Sequence, residues 1–457
     1  KEVNYNFTKA GRRNYNLSVD ELNMGSSAAE DISNSGTSTL SKQLGFVYRM
    51  GWEYDNKYLL EMSGRYDGHY YFAPGKRWGF FPSVSMGWRL SNENFIKNNF
   101  SWIDNLKIRA SFGEVGALAG GPFQYLDLYS GYGPAYAFSG SGVNGLRQTI
   151  EPNKNITWER AKKQDIGLEI SFWNGLLDME VDYFYEKRSN MLVTPDVVVP
   201  NEYGIGLGQV NEGVMENRGM DLTLGSSFNL TKDLRIGFNG TFTYARNKVL
   251  EVFETSATYD NPRRRITGKP LGVIFGYNAL GYFEEGDFDS SGNLLTTVAT
   301  QPWGSVQPGD LRYEDVNGDG KIDNDDIVQI GKSRIPEIIY GLSPNISFKN
   351  FSLNMLFQGA GNANFRLHGA GAWPFWGNRA AYVSHLDNWT PENPNARYPR
   401  VVAGQTANNQ QASSWWVENT SYLRLKNATL NYDVSSSFCE KIPGLVCLVK
   451  IFLHGQV

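Results

Sequence analysis

One segment of the sequence has the residue types and the spacing of a metal-binding loop. Between residues 315 and 326, side chains that carry oxygen occupy loop positions 1, 3, 5, 9 and 12, and a glycine occupies position 6. Calcium takes roughly six to eight oxygen ligands, and a loop that turns sharply at a glycine supplies them from neighbouring positions. The expected ligands are the side chains of Asp315, Asn317, Asp319, Asp323 and Asp326 and the main-chain carbonyl of Lys321.

The same segment has a metal-free interpretation. Position 12 holds Asp326, which is shorter than the glutamate usual at that position, and the sequence shows no second loop of this kind beside it. An Asn-Gly-Asp-Gly turn without metal is typical of the same residues. We predict a structural calcium ion, which would replace the hydrophobic core that this long loop lacks.

Patterns of catalysis and nucleic-acid binding are missing from the sequence. The histidines are far apart and lack metal-ligand spacing: His69, His368, His385 and His454. No nucleophile elbow, phosphate-binding loop or dinucleotide fingerprint occurs. The net charge is -4, and the two cysteines, Cys439 and Cys447, are too few for a disulfide scaffold or a thiolate zinc site. We predict a protein that is not an enzyme and binds no nucleic acid.

The elements that must position the candidate residues have the pattern of long strands with one apolar and one polar face. Phe46, Met50 and Trp52 fall on one face of the first clear strand, whereas Arg49 and Glu53 fall on the other. The alternation recurs from 58, 84, 106, 177, 234 and 351 onward, in runs near ten residues. A tilted strand needs about 9–11 residues to cross a bilayer, and no run approaches the roughly 20 apolar residues of a transmembrane helix. The predicted fold class is therefore all-β, an antiparallel transmembrane β-barrel of outer-membrane type.

The connections between the strands fall into two alternating classes. Short links lie at 55–56, 174–175, 231–232 and 349–350, with modest ones at 91–103 and 435–445; long links lie at 69–78, 114–156, 187–209, 247–336 and 362–419. Outer-membrane barrels have short periplasmic turns and long outer loops, so the long loops are predicted to face the cell exterior. In the strand 422–433 the alternation changes phase, which predicts a bulge near Asn427.

Several segments carry a family resemblance. These segments are PGDLRYEDVNGDGKID at 308–323, IPEIIYGL at 335–342, ITWE at 156–159, DIGLE at 165–169, NRGM at 217–220 and YLRLKNA at 422–428. Together these segments span most of the chain, their order along the chain is the order in the family, and they resemble the SusC/RagA family of TonB-dependent outer-membrane transporters.

The resemblance implies a plugged barrel of about 22 strands. Because only about 12–13 strands can be counted, we expect residues 1–457 to be the C-terminal part of one barrel, with the plug domain and the final strand absent. Residues 247–335 would be a long extracellular loop that contains the calcium-type loop 315–326. The partners implied are outer-membrane lipid, a SusD-like surface lipoprotein, TonB acting through the plug, and a glycan or peptide substrate.

Three functions follow as hypotheses. The leading one is active import of oligosaccharides or peptides across the bacterial outer membrane, as the barrel of a SusCD-like transporter. The second is a barrel of this family that serves as a scaffold in an outer-membrane assembly and transports nothing. The third, a soluble calcium-stabilised β-protein or glycan-degrading enzyme, conflicts with the long strands and sorted loops.

Loop aromatics are the remaining site candidates. Side chains that would stack on a substrate or contact a partner are Trp373, Phe375, Trp376, Trp415 and Trp416, with Trp389 nearby. The alternative is packing within the loop. Charges on the polar face, such as Arg109 and Asp182, would line a substrate path, form a hydrogen-bonded network or hold the plug.

Overall fold

Short and long strands account for most of the regular structure. The computed structural model describes residues 2–12, 26, 28–195, 197, 199–402, 406–433 and 450–456. Its strands are β1 (Glu2–Arg12), β2 (Ile32–Ser41), β3 (Gln43–Tyr54), β4 (Tyr58–His69), β5 (Trp78–Arg89), β6 (Ile103–Ala117), β7 (Tyr129–Phe138), β8 (Ser141–Gln148), β9 (Glu159–Phe172), β10 (Leu177–Val193), β11 (Val210–Asn229), β12 (Leu234–Glu251), β13 (Ile274–Gly276), β14 (Ala279–Tyr282), β15 (Leu311–Tyr313), β16 (Val328–Gly331), β17 (Ile338–Phe348), β18 (Phe351–Gly361), β19 (Asn364–Arg366), β20 (Val417–Asn419), β21 (Tyr422–Asp433) and β22 (Lys450–Gln456). The α-helices are α1 (Asn94–Lys97) and α2 (Ser256–Tyr259). Within the described ranges, no helix has the length and apolar character needed to cross a membrane.

Twelve of these strands form one antiparallel sheet, called here the main sheet. Its order is β3-β4-β5-β6-β9-β10-β11-β12-β17-β18-β21-β22, so strands that follow one another in the chain pair with one another. The remaining strands form two-stranded sheets, β1-β2, β7-β8, β13-β16, β14-β15 and β19-β20. The all-β class and the antiparallel meander expected from the sequence are confirmed.

The turns explain why the meander forms. The four links predicted to be tight contain residues 55–57, 173–176, 230–233 and 349–350. Asp55 and Asn56 have φ of 51° and 53°, the left-handed conformation that hairpin turns require and that Asn and Asp tolerate. The longer links of the main sheet alternate with them, at 70–77, 118–158, 194–209, 252–337 and 362–421. The tight turns therefore lie at one end of the sheet and the long loops at the other.

Strand register confirms the predicted change of phase. Between β18 and β21, Leu356 pairs with Asn427 but Phe357 pairs with Leu425, so Lys426 is the extra residue of a bulge. Most strands of the main sheet are longer than expected, up to 20 residues in β11. These strands are longer than a bilayer crossing requires. Their additional residues stay paired and connect the membrane-crossing part of each strand to the long loops. Cys439, Cys447 and the link predicted at 435–445 lie outside the described residues.

Candidate functional site

One face of the main sheet is apolar and exposed. Because the register is continuous, Met50, Met62, Val84 and Phe112 lie side by side on four neighbouring strands. Met50 is 70% exposed, and Ile166 further along the sheet is 61% exposed. A soluble protein would cover so large an apolar face, whereas a membrane barrel presents it to lipid.

Aromatic rings lie at both ends of the apolar face. At the end with the tight turns, ring centroids 5.9, 6.5 and 6.2 Å apart join Trp52, Tyr54, Tyr58 and Trp88 in a row. At the loop end, Trp78 stacks on Phe46 at 6.3 Å and on Tyr66 at 4.8 Å. Tyr58 and Tyr66 are about 27 Å apart along β4 at 3.4 Å per residue, or about 21 Å in height for a tilt near 40°. That height and the aromatic borders match a bilayer with its two interfaces.

The opposite face carries a network of ion pairs. Arg109 on β6 faces Asp165 at 3.5 Å, Glu169 at 3.1 Å and Asp182 at 2.7 Å, and it also pairs with Glu180. Further pairs join Lys107 to Glu169 at 2.9 Å, Arg49 to Glu61 at 2.7 Å and Arg65 to Asp67 at 2.8 Å. The charged side chains of the polar face therefore form a hydrogen-bonded network, which was one of the alternatives predicted from the sequence.

A cavity opens on this polar face toward the loop end. It has a volume of about 930 Å³, and Arg49, Glu61, Arg65, Asp67, Phe81 and Trp158 are among its lining residues. Phe81 and Trp158 belong to a buried cluster with Phe72 and Ile156. The indole of Trp158 donates to the carbonyl of Arg77 at 3.0 Å, which anchors the ITWE segment to the base of the β4–β5 loop.

Two long loops fold together into one unit, called here the loop module (residues 252–337 and 362–421). Tyr277 of the first loop donates its N–H to the carbonyl of Ala412 of the second at 2.8 Å, and Ser414 donates back to Tyr277 at 2.9 Å. Their shared core consists of Tyr277, Leu311, Tyr313, Ile322, Ala372 and Trp416. Burial raises the pKa of the Tyr313 phenol, which donates to the carbonyl of Asn408 at 2.7 Å. The expectation that the first long loop lacks a hydrophobic core was wrong, because the second loop completes that core. The first loop begins at 252 rather than 247, since β12 extends to Glu251.

A buried carboxylate joins the two halves of the loop module. Asp310 is 0% exposed, and Arg400 contacts it with Nε at 2.8 Å and Nη2 at 3.0 Å. The same carboxylate accepts from Asn409 Nδ2 and from the N–H of Gln307, both at 2.9 Å. Sequence reasoning missed this centre, because Asp310 and Arg400 are 90 residues apart and nothing in their spacing pairs them.

The predicted metal ligands form a closed loop in which their oxygens accept main-chain hydrogen bonds. Asp315 accepts from Gly318 and Gly320, each at 2.7 Å, and Asn317 accepts from Asp319 at 3.0 Å. Asp326 is buried and accepts from Val316 and Asp323, both at 2.8 Å.

The charges of this loop are partly compensated by Lys321. Its ammonium lies 2.7 Å from Asp323 and 3.5 Å from Asp319, which raises the pKa of Lys321 and lowers that of Asp323. Among the described residues, no three His, Cys, Asp or Glu side chains are grouped to hold a metal ion. The donor set nevertheless consists of oxygens, as calcium requires, so calcium binding stays a prediction.

The loop aromatics proposed as contact residues differ in accessibility. Trp416 is fully buried and donates its indole N–H to Asn409 at 2.9 Å, so it belongs to the core and offers no contact surface. Trp415 donates to the carbonyl of Arg397 at 3.1 Å, and Trp373 lies against Trp376 at 4.9 Å. Phe375 is exposed and has φ of 60°. Trp389 packs on Gly309, where an added Cβ would lie 2.2 Å from the ring.

Comparisons with known proteins agree with this geometry. Residues 2–336 match the family model described as TonB dependent receptor-like, beta-barrel. The chain is 30% identical over 410 residues to TonB-dependent receptor P26 of Formosa agariphila, an alignment that covers 85% of this chain and 39% of that protein. It is 26% identical over 414 residues to TonB-dependent receptor SusC of Bacteroides thetaiotaomicron, with 86% and 38% covered. The chain therefore spans about two fifths of the length of the curated relatives it matches.

Solved structures share the fold. The RagAB peptide importer in its closed-closed state superposes with a TM-score of 0.72 at 21% identity, covering 95% of this chain and 46% of that one. The open-open state of the same importer gives 0.73, with 95% and 45% covered. The main sheet, with its apolar outer face, is thus part of an outer-membrane barrel. The chain belongs to the TonB-dependent receptor-like β-barrel family, and within it to the SusC/RagA type.

Proposed function

We propose that this chain forms part of the barrel of an outer-membrane importer for oligosaccharides or peptides, driven by the TonB system. The observation that carries the proposal is the pairing of a lipid-facing apolar surface with an ion-paired inner face that holds a cavity of about 930 Å³. Paired charges keep the inner face hydrated without leaving strong isolated charges to trap a ligand. Membership of the family supports energy coupling through TonB.

In this proposal the long loops face the cell exterior. Outer-membrane barrels have their long loops on that side, and the five long connections of the main sheet all lie at one end. The loop module would then stand over the mouth of the barrel, where a SusD-like lipoprotein and the substrate reach it. The tight turns would face the periplasm, where TonB acts on the plug.

Site-directed labelling tests the orientation. The background is a full-length protein in which every cysteine, including Cys439 and Cys447, is replaced by serine. In it, Ser291→Cys lies on an exposed part of the loop module and Lys232→Cys on an exposed tight turn. A membrane-impermeant maleimide is expected to label Ser291→Cys on intact cells, and to label Lys232→Cys only after the outer membrane is opened. The reverse pattern would overturn the orientation.

Uptake by the full-length protein tests transport. Host cells that express it should accumulate labelled oligosaccharides or peptides, and deletion of the segment that contacts TonB should lower uptake at least tenfold at an equal level of protein in the outer membrane. Unchanged uptake after that deletion would contradict the proposal. Absence of uptake from a correctly inserted protein that retains its surface partners would favour the scaffold function instead.

We also propose that residues 315–326 bind a structural calcium ion. The segment contains five aspartates and one lysine, so it carries an excess of negative charge that a cation would neutralise. Asp315, Asn317, Asp319, Asp323 and Asp326 would hold the ion, together with the carbonyl of Lys321. The ion would stabilise the loop module by crosslinking the turn, without taking part in chemistry.

A further inference from the structure

The hairpin of β7 and β8 stands apart from the other sheets. It lies in the loop 118–158, and among the strands that the structure describes each of its two strands pairs only with the other. Ser139 and Gly140 form its turn with φ of 49° and 79°, the geometry of a two-residue hairpin turn. Because a lone two-stranded hairpin is marginally stable in water, a ligand that covers one face would stabilise it.

One face of this hairpin carries three aromatic rings, and we call it the aromatic face (Tyr132, Tyr136 and Phe138). The register sets these residues opposite Gly145, Val143 and Ser141, alternate positions of β8 that share one side. Tyr136 and Phe138 are 67% and 65% exposed, with ring centroids 6.4 Å apart.

The ring of Tyr132 has a fixed position on the same face. It lies over Gly145, where an added Cβ would be 2.7 Å from the ring. The guanidinium of Arg147 lies 5.5 Å from its centroid, so this cation is held against the ring. The aromatic face is therefore preformed at one end.

The chemistry of the aromatic face indicates an uncharged ligand. Residues 129–148 contain one charged residue, Arg147, whereas hydroxyl and amide groups come from Tyr, Ser, Asn and Gln. A basic peptide side chain would find no carboxylate on the strands of this hairpin, and the neighbouring Asp127 accepts from Gln148 on the opposite face at 3.2 Å. An acidic side chain would meet Arg147 alone, which already lies against the Tyr132 ring. A neutral sugar ring offers an apolar C–H surface to an aromatic ring, and its hydroxyls exchange hydrogen bonds with neutral polar groups.

The loop that carries the hairpin is anchored beside the cavity of the inner face. Tyr125 packs against the buried cluster of Phe81 and Trp158, two residues that line that cavity. Phe123 contacts Tyr70 of the β4–β5 loop, with ring centroids 5.7 Å apart. A ligand bound by this loop is therefore held by a segment rooted at the cavity.

We propose that the aromatic face of β7–β8 binds a neutral oligosaccharide on its way into the barrel. The proposal rests on the proposed import function and assigns it a substrate class. Tyr136 and Phe138 supply the stacking surface, and Tyr132 with Arg147 fixes one end of it.

Calorimetry on the full-length protein in detergent tests this assignment. The probes are maltohexaose, laminarihexaose, xylohexaose and mannohexaose, with a tryptic digest of casein as the peptide comparison. The test variant is Tyr136→Ala/Phe138→Ala. The matched control is Tyr129→Ala/Leu146→Ala, which removes two side chains of 65% and 75% exposure from the other face of the same hairpin. Tyr136→Phe/Phe138→Tyr keeps both rings and checks that loss of stacking is the cause.

We expect at least one hexasaccharide to bind the wild-type protein. Its Kd should be at least tenfold higher for the test variant than for wild type. For the control variant and for the variant that keeps both rings, the Kd should stay within twofold of wild type. Equal binding by the test variant would overturn the assignment and leave oligosaccharide import intact. Binding of casein peptides with no hexasaccharide binding would overturn the sugar assignment and leave transport intact. Absence of labelled-ligand uptake by cells that express the wild-type protein or any of the variants would overturn both the import function and the sugar assignment.

Discussion

Replacing Arg400 by methionine tests whether the buried carboxylate holds the loop module together. The change removes two hydrogen bonds of 2.8 and 3.0 Å from Asp310 and keeps most of the side-chain volume. Asp310, at 0% exposure, would keep only the neutral donors Asn409 Nδ2 and the N–H of Gln307. Removing one partner of a buried ion pair costs about 3–5 kcal/mol. Because the Arg400 side chain is 21% exposed, water can partly replace it as a partner of Asp310. We therefore expect a loss of stability at the lower end of this range, about 3 kcal/mol.

The assay is hydrogen exchange with mass spectrometry on the full-length protein in detergent. A loss of about 3 kcal/mol in local stability corresponds to roughly a hundredfold faster exchange in peptides that cover 309–314 and 408–416. The strands β10 and β11 should exchange as in wild type, because their ladder hydrogen bonds are made to neighbouring strands of the main sheet.

Arg312→Met provides the control. Arg312 pairs with Asp287 at 3.1 Å in the same module, but its side chain is 38% exposed. Exposed pairs contribute about 0–1 kcal/mol, so exchange should rise by no more than about fivefold. Exchange within threefold of wild type in Arg400→Met, or equal acceleration in β10 and β11, would show that the Asp310–Arg400 pair does not hold the loop module together.

Three further outcomes are expected. Met62→Arg places a charge on the apolar face and should destabilise the barrel by about 2–4 kcal/mol in urea unfolding in bilayers. Removal of calcium with a chelator should lower the melting temperature of the loop module, and Asp319→Ala should abolish this dependence. Phe375→Gly should stabilise the loop module by about 1 kcal/mol in thermal melts, because Phe375 has a left-handed backbone with φ of 60° that costs a residue with a Cβ more than glycine.

Each of these has its own check. Ser85→Arg lies on the polar face opposite Glu61 and should leave stability within about 1 kcal/mol, so an equal loss in both arginine variants would contradict the lipid-facing assignment. Equal melts of the wild type with and without chelator would remove the calcium proposal. A lower melting temperature for Phe375→Gly would mean that the ring contributes packing beyond the strain it causes.

Local patterns made the barrel predictable. Side chains alternate with a period of two along a strand, so Phe46, Met50 and Trp52 had to share a face whatever their partners were. The tight turns could be predicted because residues such as Asn56 tolerate positive φ. The bulge at Lys426 followed from a break in the same period.

The loop module was not predictable because its contacts are remote in sequence. From its residue type and its place in a loop, Trp416 was predicted to contact a ligand or partner. It is instead fully buried in a core to which both long loops contribute. Aromatic loop residues serve packing and binding equally well, and only the fold distinguishes the two. The hairpin β7–β8 was missed because its two bulges, near Pro134, hide the alternation that marks a strand.

The shared core of the loop module also constrains how this family can diversify. Residues 277, 311 and 313 come from one loop and residues 372 and 416 from the other, so neither loop has a complete core alone. A recombination event that exchanged only one of them between relatives would mismatch that core and separate Asp310 from Arg400. Chimeras built for new specificity should therefore exchange 252–337 and 362–421 as a pair.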